Sequence, residues 1–309
     1  MRVLVSGGAG FIGSHLCEAL LAKGDDVICV DNFLTGTHEN IETFLKHPSF
    51  TLIEHDITHP FIIDGTLDEV YNLACPASPV DYQNLPLETL FASALGTRNM
   101  LDVALSHKSI FLHTSTSEIY GDPLVHPQEE SYFGNVNCIG PRSCYDEGKR
   151  FAESLVTNYA NKYGLSVKIV RVFNTYGPKM RKRDGRVIPN FITQAIASFP
   201  LTIYGDGYQT RSFCYVSDMI SGILAMMETS NFSGPVNLGN PEEVSIKELS
   251  KNIIELCNSN SELVYKPYLE NDPKVRRPDI TLARRHLHFE PIVSLKDGLQ
   301  KTINWFKNN

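Results

Sequence analysis

Short apolar runs alternate with longer stretches of helical periodicity through the first half of the chain. Val3–Val5 reads as a strand, and beyond a glycine-rich turn Phe11–Ala22 repeats its apolar residues at helical spacing. The pattern then predicts strands at Val27–Val30, Phe50–Glu54 and Asp68–Leu73, a long helix over Thr89–Leu105 and a fifth strand at Ser109–His113. A helix over Ser143–Tyr163 and a sixth strand at Ser166–Phe173 complete the series. Gly24 sits where the first helix should stop. Strands alternating with helices in this rhythm predict parallel βαβ units and an α/β, doubly wound sheet.

The rhythm breaks after Phe173. Residues 174–208 are rich in Gly, Pro and basic side chains, with one helix expected near Val187–Phe199. Phe213–Glu228 returns to a strand-then-helix pattern. Helices are expected at Ser245–Cys257 and Leu295–Phe306, with a strand-like Leu263–Tyr265 between them. Residues 1–173, with about 212–239, are therefore expected to form the sheet domain. About 174–211 and 240–309 should form a smaller composite domain capping its C-terminal edge.

Composition narrows the function. With 309 residues, 42% hydrophobic and 20% charged, the chain has the make-up of a globular protein. A net charge of −7 argues against a general nucleic-acid binder. No apolar run approaches the roughly 18 residues of a membrane helix, and the opening MRVLVSGGAG breaks too early for a signal peptide. The seven cysteines (Cys17, Cys29, Cys75, Cys138, Cys144, Cys214 and Cys257) are scattered, with no C-x-x-C pair. That suits a reducing cytoplasm and signals no zinc site. The ten histidines form no metal-binding pattern, and His286 and His288 read as surface or strand residues. No catalytic metal is expected.

The first turn carries chemistry. Gly7-Gly-Ala-Gly10-Phe-Ile-Gly13 follows a strand and opens a helix. Glycines there let the backbone approach a pyrophosphate, which sits on the helix N-terminus. This is the Rossmann arrangement. Asp31 closes the next strand, where a carboxylate accepts from a ribose 2′-hydroxyl and repels a 2′-phosphate. No Lys or Arg follows before Phe44, so NAD is favoured over NADP. Asp56-Ile57, after the third strand, either meets the adenine edge or caps a loop.

A second constellation lies on the Ser143–Tyr163 helix. Tyr145 and Lys149 are four residues apart, on one helical face. A tyrosine of ordinary pKa near 10 is a poor base at neutral pH, and a nearby cation favours the phenolate. Lysine can so turn tyrosine into a general base toward a sugar hydroxyl. Thr114-Ser-Thr116-Ser-Glu118-Ile-Tyr120-Gly121, directly after the fifth strand, offers a hydroxyl for the same substrate oxygen. The Tyr120 and Tyr176 phenols read as structural.

GGAGFIG, STSEIYGD and YDEGKR together resemble the extended short-chain dehydrogenase/reductase family, and within it the branch that decarboxylates UDP-glucuronate. ACPASP (Ala74–Pro79), NCIGPRSCYDEGKRFAE (Asn137–Glu153), RVFNTYGPKM (Arg171–Met180), YGDGYQTRSFCYVSD (Tyr204–Asp218) and RRPDI (Arg276–Ile280) extend the resemblance over almost the whole chain. It implies an NAD-dependent enzyme in which Tyr145, Lys149, Thr116 and Glu118 are catalytic. The implied cofactor contacts are Gly7, Gly10, Phe11, Ile12, Gly13, Asp31, Asn32, Thr35, Gly36, Asp56, Ile57, Leu73 and Thr175, with Tyr145 and Lys149. Ser117, Asn174, Arg186, Arg211 and Arg276 are implied on the nucleotide sugar, where arginine forks suit a diphosphate. Lys179–Arg183 either lines the nucleotide entrance or forms an exposed loop, the latter favoured for Lys182 and Arg183.

The implied reaction oxidises C4 of UDP-glucuronate, loses CO2 from the resulting β-keto acid and returns the hydride, leaving UDP-xylose and the original NAD. The residue after Thr116 bears on the alternatives, a 4,6-dehydratase or a 4-epimerase. Dehydratases typically read T-D-E there, with an acid to expel the C6 hydroxyl, whereas this chain has Ser117. A nucleotide-sensing regulator would tend to lose the tyrosine or the lysine, and both are present. One departure stands out: where decarboxylases usually read T-L-K-T-N, this chain has Thr89-Leu-Phe91-Ala-Ser93, without the lysine and asparagine that help hold substrate. The Thr89–Leu105 and Ser143–Tyr163 helices resemble the pair that builds a homodimer interface in the family.

Overall fold

A computed structural model describes residues 1–268 and 275–309. Six strands arise as the hydrophobic pattern predicts: β1 (Arg2–Ser6), β2 (Asp26–Asp31), β3 (Phe50–Glu54), β4 (Glu69–Asn72), β5 (Ile110–Thr116) and β6 (Val167–Val172). Later in the chain come β7 (Thr175–Tyr176), β8 (Leu201–Tyr204), β9 (Thr210–Ser212), β10 (Cys214–Tyr215), β11 (Val236–Leu238), β12 (Glu243–Ser245) and β13 (Leu263–Lys266). The main sheet is ordered β11-β6-β5-β4-β1-β2-β3, and each of its pairings is parallel. From β1 the chain winds outward through β2 and β3, then crosses back to β4. The order therefore reverses between β1 and β4, the place where open α/β sheets bind ligands beyond the strands' carboxyl ends.

The helices are α1 (Phe11–Ala22), α2 (Pro79–Asn84), α3 (Pro86–Phe91), α4 (Thr97–His107), α5 (Ser143–Tyr163), α6 (Val187–Ile196), α7 (Val216–Glu228), α8 (Ile246–Cys257), α9 (Thr281–Leu287) and α10 (Leu295–Asn308). Gly24, at φ +89°, ends the first helix as expected. One apolar core joins Val3, Leu16 and Cys29 beneath the first strands to Met219 and Ile223 of α7 and onward to Ile253 and Ile303. A second packs Leu4, Val70, Met100 and Phe111 with Val156 of α5 on the other face.

Several expectations change in detail. The helix expected over Thr89–Leu105 starts at Pro86 and widens into a π turn at Ala92–Gly96 before α4. Gly96 packs there against Ile57, whose Cδ1 lies 2.7 Å from where a Cβ would stand. The fifth strand continues to Thr116 because its ladder with β6 runs on through Ser115↔Arg171 and Thr116↔Val172. The expected Val187–Phe199 helix stops at Ile196, and the chain turns at Ser198 with φ 55°. His286 is exposed but helical, at the end of α9, its ring stacked 4.1 Å from Phe232.

Candidate active site

The glycine turn is closely built. A Cβ on Gly13 would stand 2.0 Å from the Gly7 carbonyl oxygen, and one on Gly7 would stand 2.9 Å from the Ala74 backbone. Gly7 also has φ +71°. The turn therefore holds β1, β4 and α1 together at the sheet's switch point. Gly10, which caps α1, makes no side-chain cap bond, and the first helical turn contains no acid. Its amides are thus presented without a competing side chain. Asp31, at the end of β2, accepts from the amides of Ala9 and Phe33, both at 2.9 Å. Burial pushes its carboxyl up, and these backbone bonds pull against that. A Cβ on Gly36 would come within 3.0 Å of both Asp31 oxygens, so only glycine leaves the space beside the carboxylate open.

Asp56 accepts from the Thr58 amide at 2.9 Å and from Asn32 Nδ2 at 3.2 Å. Burial pushes Asp56 upward, but those bonds outweigh it and hold the carboxylate below its ordinary range. Asp56 thus caps its turn and also faces the cleft. Gly7, Gly10, Phe11, Ile12, Gly13, Asp31, Asn32, Thr35, Gly36, Asp56, Ile57 and Leu73 all line one cleft of about 390 Å³. An open helix N-terminus beside a carboxylate and a glycine-cleared groove fits a dinucleotide with a free 2′-hydroxyl.

The same cleft continues to the end of β5. Thr116 is buried; its Oγ1 accepts from the Glu118 amide at 3.2 Å and its hydroxyl bonds the Tyr145 phenol. Lys149, one helical turn on from Tyr145, is buried and donates to the Thr114 carbonyl at 2.9 Å. Burial pushes the Tyr145 phenol up, and the Cys75 thiol adds to this; the bond from Thr116 and the charge of Arg186 pull it down. Burial likewise pulls Lys149 below its ordinary value. The groups that favour the phenolate therefore include Thr116 and Arg186, which helix spacing does not reveal. Ser115 Oγ also lines the cleft, is buried and has no partner among the described residues.

Glu118 faces the cleft while both of its oxygens are held: Arg142 Nη2 pairs with Oε2 and Arg276 Nη1 with Oε1. Ser117 is buried beside them, its Oγ accepting from Arg276 at 3.4 Å. Asn174, Thr175 and Arg186 line the cleft from the 174–186 segment; Asn174 donates to the Ser212 carbonyl, and Arg186 to the Ala77 carbonyl at 2.8 Å. Lys179 and Arg181 line it too, Arg181 paired with Asp81 across the opening, whereas Lys182 and Arg183 do not. Arg211 lies on β9, outside the lining. Arg276 is almost fully buried behind Glu118, also outside it, and donates to the Gly121 carbonyl at 3.2 Å.

Sequence reasoning did not single out Arg142, Cys75 or Tyr82. Tyr82 stacks on Tyr145 with centroids 5.1 Å apart and planes 6° apart. Cys75 lines the cleft and contacts Ser93 Oγ at 3.4 Å. Arg142 stands three residues before Tyr145, a position that helical spacing marks as close to it. Phe91 lines the cleft and is half-exposed, so the residue in the lysine's usual place does border the site. Ser93 is buried, and a Cβ on Gly148 would sit 3.0 Å from its hydroxyl. Among the described residues no cluster of His, Cys, Asp or Glu could hold a metal.

A model of the NAD-dependent epimerase/dehydratase family matches residues 3–239, more than half of the chain. The chain belongs to that family. It is 49% identical over 308 residues to UDP-glucuronic acid decarboxylase 1 of Arabidopsis thaliana, covering 100% of this chain and 70% of that protein. The Xenopus tropicalis protein of the same name is 49% identical over 306 residues, covering 99% and 72%. Among solved structures, UDP-glucuronic acid 4-epimerase of Bacillus cereus with UDP-glucuronic acid and NAD superposes with TM-score 0.89 at 30% identity, over 100% and 99% of the two chains. UDP-glucose 4-epimerase of Thermotoga maritima gives 0.90 at 28% identity with the same coverage. The glycine turn, Asp31 and the Tyr145–Lys149 pair thus stand in a family that uses NAD.

Asp146 gives a pH signature. It is buried beside Arg142, and its Oδ1 has no partner among the described residues. Burial pushes its carboxyl up to about 7, with Arg142 pulling down and Glu147 pushing up. A carboxyl raised from 3.8 is penalised when ionised. The penalty is complete above about pH 7 and gone below about pH 4. Asp146→Asn should therefore melt above the parent at about pH 8, with the gap shrinking toward about pH 5. Calorimetry showing the same gap at both pH values would mean that Asp146 ionises without penalty.

Proposed function

We propose that this protein converts UDP-glucuronate to UDP-xylose and CO2 through a 4-keto intermediate. The observation that carries the reading is the pair Ser117–Glu118 at the end of β5. Dehydration needs a proton donor for the departing C6 hydroxyl. Here that place holds a buried serine, and the neighbouring carboxylate is occupied as an acceptor by two guanidiniums. Decarboxylation needs no such acid, because a carboxylate β to a ketone leaves as CO2 with its bonding pair flowing into the C4 carbonyl. Relatives named as UDP-glucuronic acid decarboxylases at about half identity point the same way.

Tyr145 accepts the C4 hydroxyl proton, and Thr116 holds the same oxygen. Lys149, tied to β5 through the Thr114 carbonyl, keeps positive charge one turn from the phenol. The chemistry NAD supplies when bound is that of a reversible hydride acceptor, restored within each turnover. Burial raises the Tyr145 phenol, so the base form that takes the C4 proton depends on Thr116 and Arg186, which pull the phenol back down. Glu118 positions the ring and a water for protonation at C5. Residues 1–173 with about 212–239 hold the dinucleotide, and about 174–211 and 240–309 hold the nucleotide sugar, with Asn174 and Arg186 lining the cleft and Arg276 acting behind it through Glu118. The protein works in the cytoplasm, where its seven free cysteines suit a reducing environment.

It also works as a homodimer. Leu87 on α3, Leu95 within the π turn and Phe151 on α5 are exposed apolar residues on neighbouring helices. That is the kind of surface a second copy covers. Sedimentation velocity should give a dimer for the wild type and monomers for Phe151→Glu; a monomeric wild type would refute the assembly.

Mass spectrometry of products tests the activity. UDP-glucuronate should lose the mass of CO2 without added cofactor. Loss of water from a nucleotide glucose would identify a dehydratase, and an isomer of unchanged mass an epimerase. Tyr145→Phe should lower turnover by roughly 100-fold or more; a fully active variant would remove Tyr145 from the role of base.

A further inference from the structure

Arg142 stands at the N-terminal cap of α5, and its carbonyl accepts from the amides of Tyr145 and Asp146, both at 3.0 Å. Its guanidinium reaches back to the end of β5 and pairs with Oε2 of Glu118, while Arg276 takes Oε1. Glu118 lines the cleft and the two arginines hold it from the protein side. The Arg142 guanidinium carbon also lies 5.9 Å from the centroid of the Tyr82 ring, and that ring is stacked on Tyr145. One side chain therefore contacts the carboxylate directly and reaches the phenol through a single aromatic ring.

Helix stability does not account for this placement. A cation at a helix N-terminus opposes the helix dipole, and the acid in the same turn, Asp146, is 3.9 Å from Nε at a poor distance for a strong bond. Among the described residues its closest ion pair goes instead to a residue of the cleft. A carboxylate gripped at both oxygens has one orientation. With Oε2 released, it can swing about the remaining Arg276 contact.

We propose that Arg142 is a positioning residue: it fixes Glu118 relative to Tyr145, and so sets the face from which a proton reaches C5. The proposal rests on the decarboxylase reading. Loss of CO2 leaves its bonding pair spread over C5, C4 and the C4 oxygen, and the proton that completes C5 comes from solvent. In deuterated water, each turnover then places one deuterium on the C5 methylene, and its configuration records the face of delivery.

The test compares wild type, Arg142→Gln and Arg142→Lys in deuterated water, with NMR of the UDP-pentose product. The wild type should give a single C5 configuration. Arg142→Gln should lose roughly 100-fold in kcat, as expected for a displacement of about 1 Å, with KM nearly unchanged and deuterium at both C5 positions. Arg142→Lys should recover part of the rate and of the configurational purity. A folded Arg142→Gln that retains either wild-type kcat or a single configuration overturns the proposal.

A mutant cycle with Glu118→Gln supplies a second measurement. If Arg142 acts through Glu118, the double variant is no slower than Glu118→Gln alone; losses that multiply overturn the proposal. Should the wild type release no CO2, the decarboxylase reading fails by itself. The cycle, run on whichever nucleotide sugar is turned over, then still decides for or against Arg142.

Discussion

The parallel ladder between β5 and β6, carried as far as Thr116↔Val172, is the constraint on which the site depends. It brings a hydroxyl-rich strand end to the carboxyl edge of the sheet, beside the β1–β4 switch point where the glycine turn opens. Helix α5 packs on the same strand, and Lys149 is anchored to the Thr114 carbonyl. Hydroxyl, phenol and ammonium are thereby referenced to one strand instead of to separate loops, and that rigidity is what a precise reaction geometry requires.

Burial makes this arrangement costly and useful at once. It raises the Tyr145 phenol, lowers Lys149 and pulls Arg276 down to about 10. Each shift records a charge taken out of water, and buried ion pairs seldom repay that desolvation in stability. The Arg142–Glu118–Arg276 group is better understood as a device of orientation. The same dry surroundings strengthen every electrostatic contact made inside the cleft, so a modest number of groups can govern where protons go.

Much of this was legible in the residues themselves. Local pattern sufficed for α1, β3 and α5, because strong periodicity and clear stops coincide at Phe11–Ala22, Phe50–Glu54 and Ser143–Tyr163. The cleft gathers Gly7, Asp31, Thr116, Tyr145 and Lys149 because motif spacing encodes the βαβ geometry directly. What local pattern could not show depends on distant partners. β11 is three residues long and exists only by pairing with β6. The π turn at Ala92–Gly96 answers to Ile57, far away in sequence. Arg276 carries the charge expected of a phosphate ligand, yet its depth behind Glu118 appears only in three dimensions. Arg142 was hidden for the same reason, since its partner lies 24 residues upstream.

Phe91 borders the cleft where a lysine is usual in the decarboxylase branch, so other cations must balance the substrate's negative charge. Lys179, Arg181 and Arg186 line the same cleft. The central claim is that oxidation and its reversal occur within this one closed site. Turnover of UDP-glucuronate carrying deuterium at C4 tests it most directly. The account predicts that the label is found on C4 of the pentose product, even with excess unlabelled NADH in solution. Label lost to the soluble nicotinamide pool or to water would contradict it.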